Sequence, residues 1–412
     1  MATQATAWRR ALTVAAITGL AGGVLATAPA QAAPSDIDRA RDGLVETAQT
    51  YLTGENSLRV EGSAPDAAKA ADKAGELDVA GAFAKVRDDR MTARQQQKEL
   101  AERTGVRFTG VTTEVTPLAK VRTGAKGANG ANTARLSVEE RTEYTYAQAD
   151  VEPYSYRARH ELSFTHVDGT WRLSALVTKD PTGMNTPKKL SDEQMRVAVK
   201  TTEVLKTGLR KTAEQRKAAN AKRESGSKGN TTKEIPDGLN YQKMVDWALR
   251  YALEDRDKLP YTPDDDDCTT FVSWALRTGG WGEQSGFYQN DDVWWWKDWC
   301  DGEWYCRPQH SYTWGGAANF QRYAVNESKR VDLLKNVWDV RIADVMQYDV
   351  KDYGGVGVPD HTMMVTAFDW NADGMPLLSY HSSPGGEQKN KPLIDILNSD
   401  SAQGQAFWAY GT

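Results

Sequence analysis

Three side chains in the last third of the chain are of types that could act together: a cysteine at 268 and histidines at 361 and 381. Cys268 stands in "DDDDCTTFVSWALRTGG", residues 264–280, with four aspartates before it and an apolar run behind it. A thiolate attacks carbonyl carbon well, and an imidazole can take the proton and return it to a leaving amine. The placement suggests how the thiol would be activated. Asp267 suits the N-cap of a helix, where its carboxylate would bond early backbone N–H groups, and Cys268 then falls at the first helical position. The positive potential of a helix start favours a sulfur anion and lowers its pKa. The remaining aspartates are expected to face water. They lack the alternating ligand spacing of a calcium loop. The chain has three cysteines. Cys300 and Cys306 enclose "DGEWY", and a bridge there would restrict the unfolded chain by about 2 kcal/mol. That pairing leaves Cys268 free.

The elements that must hold these groups can be read from local pattern. "NYQKMVDWALRYALEDR", 240–256, is a helix capped by Asn240, with Tyr241, Met244, Val245, Ala248, Tyr251 and Ala252 on one face. The loop "DKLPYTPDDDD" follows and carries Tyr261. In the next helix, Phe271, Val272, Ala275 and Leu276 share a face, and Gly279 and Gly280 end it. Strands are expected at 343–350, 360–370 and 376–383, with "NADG" turning the last two into a hairpin. Centred near Asn371, that hairpin sets His361 and His381 opposite each other on one face, about 5 Å apart at Cβ. His361 would then be the base and His381 its orienting partner. Asp369 lies too far along the strand to orient His361, and Asp360 points to the other face. The oxyanion falls to the Cys268 backbone N–H, with the Tyr261 phenol as a second donor. His310, in "RPQHSYTW", reads as a loop residue. Most tryptophans read as core and rim, while Trp294, Trp295 and Trp314 are candidates for stacking on sugar rings.

"DCTTFVSWAL" resembles the D-C-[ST]-x-F-[VI]-S signature of papain-like, NlpC/P60-type cysteine hydrolases. It is closer still to the D-C-T-N-F-V-S of the amidase domains of secreted bacterial proteins. "ADVMQYDV", "DHTMMVT" and "YHSS" resemble that family's strand, histidine and distal histidine segments. The resemblance covers roughly 240–412. It implies an incomplete antiparallel barrel packed on helices, with Cys268 as nucleophile, His361 as base, His381 as third member, and no cofactor. Thr270 stands where the amidase pattern has Asn, and Ala343 where it often has Gly.

The rest of the chain reads as three further parts. Residues 1–33 have Arg9 and Arg10, an apolar stretch and "ATAPAQAA", the pattern of a cleaved secretory signal peptide. Residues 34–180 run helices first, then alternating strands ending in a hairpin at Asp168-Gly169. This is an α+β arrangement that resembles the cone-shaped NTF2-like domains. Residues 181–236 hold 13 Lys/Arg against 6 Asp/Glu and begin with a capping box, Ser191-x-x-Gln194. They read as a basic helical linker, with docking on an anionic cell-wall polymer as the sharper alternative. The fold class is therefore α+β throughout, with a compact domain at 237–412 that holds 12 of the 14 tryptophans.

A net charge of −5, more negative once the signal arginines are removed, argues against a nucleic-acid partner. No other stretch is long and apolar enough for stable membrane insertion. The expectation is a secreted cysteine amidase acting on amide bonds, with peptidoglycan peptides as substrate. The competing readings are a wall-binding module without catalysis, an acyltransferase of the same chemistry, and a zinc amidase. Close-spaced metal-ligand pairs are missing, so no metal site is assigned.

Overall fold

The computed structural model describes residues 34–62, 64–124, 132–180, 183, 186–224, 238–297, 309–350, 355, 357–382, 384–399, 401–402 and 404–412. The signal segment, most of the 123–132 loop, and Cys300 with Cys306 lie outside the described residues, and so does the expected bridge.

Helices α1 (Pro34–Ser57), α2 (Pro65–Glu76) and α3 (Gly81–Thr104) come first. Strands β1 (Phe108–Pro117), β2 (Arg122–Gly124), β3 (Thr133–Tyr146), β4 (Tyr154–Val167) and β5 (Thr170–Lys179) follow, all antiparallel. The β4–β5 turn is made by Asp168 and Gly169, both at positive φ, as that dipeptide favours. Leu44, Leu52 and Phe83 on the helices pack onto Leu136, Leu162, Phe164 and Leu173 on the strands.

Helix α4 (Asp192–Glu224) carries its capping box as expected: the Ser191 N–H donates to Gln194 Oε1 at 2.9 Å, and the Gln194 N–H to Ser191 Oγ at 3.3 Å. It is more than a solvated connector. Leu205 and Leu209 are buried. A Cβ at Gly208 would meet the Trp338 ring at 2.4 Å, so glycine is what lets the helix approach it. Two of its basic residues face inward: Arg216 donates to the carbonyls of Gly374 and Asp373, and Arg223 to Asp344.

The C-terminal part contains α5 (Tyr241–Tyr251), α6 (Cys268–Thr278), β6 (Trp296–Lys297), β7 (Gln309–His310), α7 (Tyr312–Gly315), α8 (Ala317–Gln321), β8 (Asp332–Leu333), β9 (Val345–Tyr348), β10 (His361–Asp369), β11 (Met375–Tyr380), β12 (Gln388–Pro392), α9 (Leu393–Leu397) and β13 (Phe407–Gly411). Asn240 caps α5 through Lys243 N–H. Phe271, Val272, Ala275 and Leu276 of α6 are fully buried. Strands β9, β10 and β11 are buried on both faces, which explains the unbroken apolar runs "MMV" and "PLL".

One antiparallel sheet crosses both halves of the chain, in the order β1-β3-β4-β12-β11-β10-β9-β13-β8. The join is β12 against β4, through Gln388↔Tyr156 and Lys389↔Ser155. Apolar residues from both halves share one core, including Phe108, Tyr144, Phe271 and Met363. No helix among the described residues is long and apolar enough to cross a membrane.

Candidate active site

Cys268 begins α6 and is a free, buried thiol. Its Sγ lies 3.7 Å from Thr269 Oγ1 and 3.9 Å from the Asp360 carbonyl oxygen, with the Thr362 backbone N–H directed at it. The sulfur therefore rests on the backbone at the start of β10. Its environment reverses the expected activation. Burial pushes the thiol pKa up, and the carboxylates of Asp266 and Asp267 add to this, outweighing the Thr362 N–H and the Thr269 hydroxyl. Desolvation at this depth overrides the favourable potential of a helix start.

Asp267 occupies the position before the helix but makes no side-chain cap. Its carboxylate is instead shared between two partners on other elements. Oδ1 sits 2.9 Å from His381 Nδ1, and Oδ2 accepts from Tyr261 Oη at 2.7 Å. Arg256 stands 3.6 Å from Oδ1 and donates to the Ser382 carbonyl at 3.1 Å, tying this loop to the end of β11. Two expectations are corrected here. Asp267 orients a histidine rather than capping α6. The buried Tyr261 hydroxyl is spent on Asp267 rather than left as an oxyanion donor.

His381 is buried, and its ring stacks on Phe271 of α6 at 6.1 Å. Burial alone would lower its pKa, but the Asp267 carboxylate outweighs burial and raises it above the usual imidazole value. Asp267 thus selects a ring with Nδ1 protonated and Nε2 as the open position, and Nε2 has no hydrogen-bond partner.

His361 lies elsewhere. It pairs with Tyr348 across β9, and its ring meets Tyr348 at 5.5 Å and Tyr380 at 4.6 Å, edge to face in both cases. Neither ring nitrogen has a partner. Burial, with Lys391 adding to it, lowers its pKa to about 3, so the ring is neutral. The adjacent Thr362 points the opposite way, toward α6, where its hydroxyl meets Thr269 Oγ1 at 2.8 Å.

The expected opposition of His361 and His381 is therefore not formed. The turn pairs Asp369 with Met375, centring the hairpin on Ala372 rather than Asn371, and the pairing Ala367↔Leu377 then becomes Val365↔Leu378, a bulge at Thr366. Continuing that register sets Thr362, not His361, across from His381. One extra residue in a strand moves every later side chain to the other face.

Other expected residues also find their places. Trp294, Trp295 and Trp314 are all buried and unavailable for stacking on a ligand. His310 lies on β7, with Nε2 3.0 Å from Asp264 Oδ2. Position 343, where the amidase pattern often has glycine, is Ala343 at φ 66, a backbone conformation glycine suits better. Thr270 is buried with its hydroxyl unpartnered. Among the described residues no group of three or more His, Cys, Asp or Glu side chains is placed to hold a metal ion.

The site thus places a buried thiol next in sequence to a carboxylate that holds a buried imidazole. Residues 238–408 match the protein family described as "Putative amidase domain". The C-terminal part of this chain is amidase-like, and the reaction that the match suggests is amide hydrolysis. No curated protein and no solved structure matches the chain.

Proposed function

We propose that the chain is an exported cysteine amide hydrolase acting on peptide amides of peptidoglycan, with Cys268 as nucleophile and His381, held by Asp267, as base. The observation that carries this reading is the His381 Nδ1–Asp267 Oδ1 contact of 2.9 Å, immediately before a free thiol. Carboxylate, imidazole and sulfur are the three members that nucleophilic acyl transfer requires. His361 is displaced from the role its motif suggests, because its ring lies on the far face of β10. The N-terminal signal pattern supports export, and export beside an amidase-like domain supports a wall peptide as substrate.

The chemistry starts from neutral partners. As Sγ forms a bond to the amide carbon, His381 Nε2 takes the thiol proton. The tetrahedral oxyanion is met by the unpaired N–H groups at the start of α6, that of Cys268 first. Collapse breaks the C–N bond, and His381 gives its proton to the leaving amine. Water then attacks the thioester while His381 accepts a proton, releasing the acid and restoring the thiol. Asp267 stabilises the imidazolium in both halves, and Tyr261 and Arg256 hold Asp267 in place.

Digestion of purified peptidoglycan by the full chain, with mass spectrometry of the fragments, tests the reading. New amine and carboxylate ends are expected. Cys268→Ala should reduce their formation by about 10⁴-fold or more with little change in thermal midpoint. A Cys268→Ala variant that still cuts would end the cysteine mechanism. Loss of activity in His361→Ala, with His381→Ala active, would return the base to His361 and require β10 to slide by one residue.

A further inference from the structure

Among the described residues, every aromatic side chain that is large, apolar and exposed belongs to one patch: Phe287, Tyr288 and Tyr312, at 59%, 39% and 46% exposure. The three rings meet in sequence at angles, Phe287 to Tyr288 at 4.7 Å between centroids and 51°, and Tyr288 to Tyr312 at 5.2 Å and 81°, edge to face. Their spacing is held by the main chain, since the Tyr312 N–H donates to the Tyr288 carbonyl at 2.8 Å. Gln289 lies over both phenols, with Nε2 3.2 Å from Tyr288 Oη and 3.4 Å from Tyr312 Oη.

We propose that Phe287, Tyr288 and Tyr312 form an angled aromatic platform for a neutral pyranose ring of the substrate polymer, one ring stacking on its C–H face and its neighbour walling its edge, with the phenols and the Gln289 amide meeting its hydroxyl or acetamido groups. The inference rests on the hydrolase reading above and gives that site its glycan subsite. Flat rings exposed beside fixed polar groups suit a sugar, whose C–H face is apolar and whose rim is polar. Asp291, close in sequence, is paired with Arg322 at 3.1 Å, and Asp292 adds a further carboxylate, so the flanking charge does not favour an anionic polymer. Three rings also fall well short of the about 800 Å² per partner of a stable protein interface.

The platform is coupled to the nucleophile by short links. Tyr312 begins α7, which docks on α6 where Ser273 Oγ donates to the Trp314 carbonyl at 2.8 Å. Two residues before Tyr312, His310 Nε2 lies 3.0 Å from Asp264 Oδ2. Asp264 precedes Cys268 by four positions, at most about 14 Å of extended chain. Because the rings are already fixed, little side-chain freedom is lost when a sugar lands on them.

The test is titration of the full wild-type chain with the trisaccharide of N-acetylglucosamine, followed by aromatic fluorescence and calorimetry. Saturable binding is expected, weakened by about fivefold or more in Tyr312→Ala and in Phe287→Ala. Phe287 is exposed enough that its variant should fold, and circular dichroism checks this. Saccharide binding equal in wild type and both variants overturns the platform. So does absence of binding. Self-association of the wild type that both variants abolish would assign the patch to a second copy of this chain and also overturn it. The readout needs no bond cleavage, so a failure of the hydrolase reading and a failure of the platform remain distinguishable.

Discussion

Two buried polar regions of this molecule obey opposite rules. Between α1, α3 and the N-terminal strands, Glu140 Oε1 accepts from Asn56, Thr142 and Tyr156, and Glu140 Oε2 sits 2.6 Å from His160 Nε2. The other nitrogen of His160 meets Thr178 Oγ1 at 3.1 Å, and Glu55 is held by Arg90 and Arg94. At α6 and β10, both nitrogens of His361 and Nε2 of His381 are buried with no partner. A saturated network fixes one arrangement of a core. An open imidazole nitrogen is costly to bury and needs another explanation. At His381 the proposed mechanism supplies one: a proton to be moved.

The largest effect that would sharpen this contrast lies in the saturated region. Glu140→Ala leaves His160 Nε2 without its partner, takes one acceptor each from Asn56, Thr142 and Tyr156, and should cost about 3–5 kcal/mol in urea unfolding. The folded-state pKa of Glu140 is lowered to about 2: burial alone would raise it, but His160, Tyr156 and Arg94 outweigh burial. Its contribution is therefore present above the ordinary carboxylate range and is lost only as pH falls toward 2. A cost below 1 kcal/mol would break the comparison.

Next comes Asp267→Asn, which keeps the shape and removes the charge holding His381. Hydrolysis should fall by about a hundredfold or more, because the ring loses its selected tautomer. Asp267 raises the His381 pKa, so the variant's base should stay neutral to lower pH, and the acid limb of its pH–rate profile should move down. An unmoved limb would remove His381 from the reaction.

His361→Phe should have a smaller effect, of the opposite sign to Glu140→Ala. Replacing an unpartnered imidazole by a ring of similar shape removes a burial penalty of about 1–3 kcal/mol, so urea stability at neutral pH should be unchanged or higher. The folded pKa of about 3 lies below the unfolded imidazole value. The stability that neutral His361 contributes is therefore complete above about 6.5 and declines as pH falls toward 3. The variant should lack that decline. Lost hydrolysis in a stably folded variant would instead show His361 to be the base. Smallest of all, Ala343→Gly should raise stability by about 0.5–1 kcal/mol by relieving a left-handed backbone, as a thermal scan would show.

What was legible in the sequence was local. Asn240 capping α5, the Ser191–Gln194 box, the Asp168-Gly169 turn and the buried face of α6 each depend on a few adjacent residues, and each appears in the structure. The place of Cys268 at the start of α6 was legible for the same reason. What was hidden depends on pairing at a distance. Nothing in "HTMMVTAFDW" announces a bulge at Thr366, yet that one residue decides which face of β10 carries the imidazole. The Asp267–His381 contact joins residues 114 positions apart, and no helical or strand period spans such a separation. Trp294 was legible as a candidate for sugar stacking but not as interior, because it is covered by Ser273, Trp281, Trp314 and Tyr323 from four separate segments.

The join between β12 and β4 has a consequence for any attempt to work with the amidase-like part alone. The family match begins at residue 238, yet the strand that ends its half of the sheet is completed by Tyr156 and Ser155 from the other half. Cleaving the chain at 237 and removing what precedes it would leave the amide and carbonyl groups of β12 open to any passing strand. An exposed row of this kind is a template for aggregation. The first half of the chain thus covers this edge of the second, and the isolated second half is expected to aggregate more readily unless that margin is redesigned with charge.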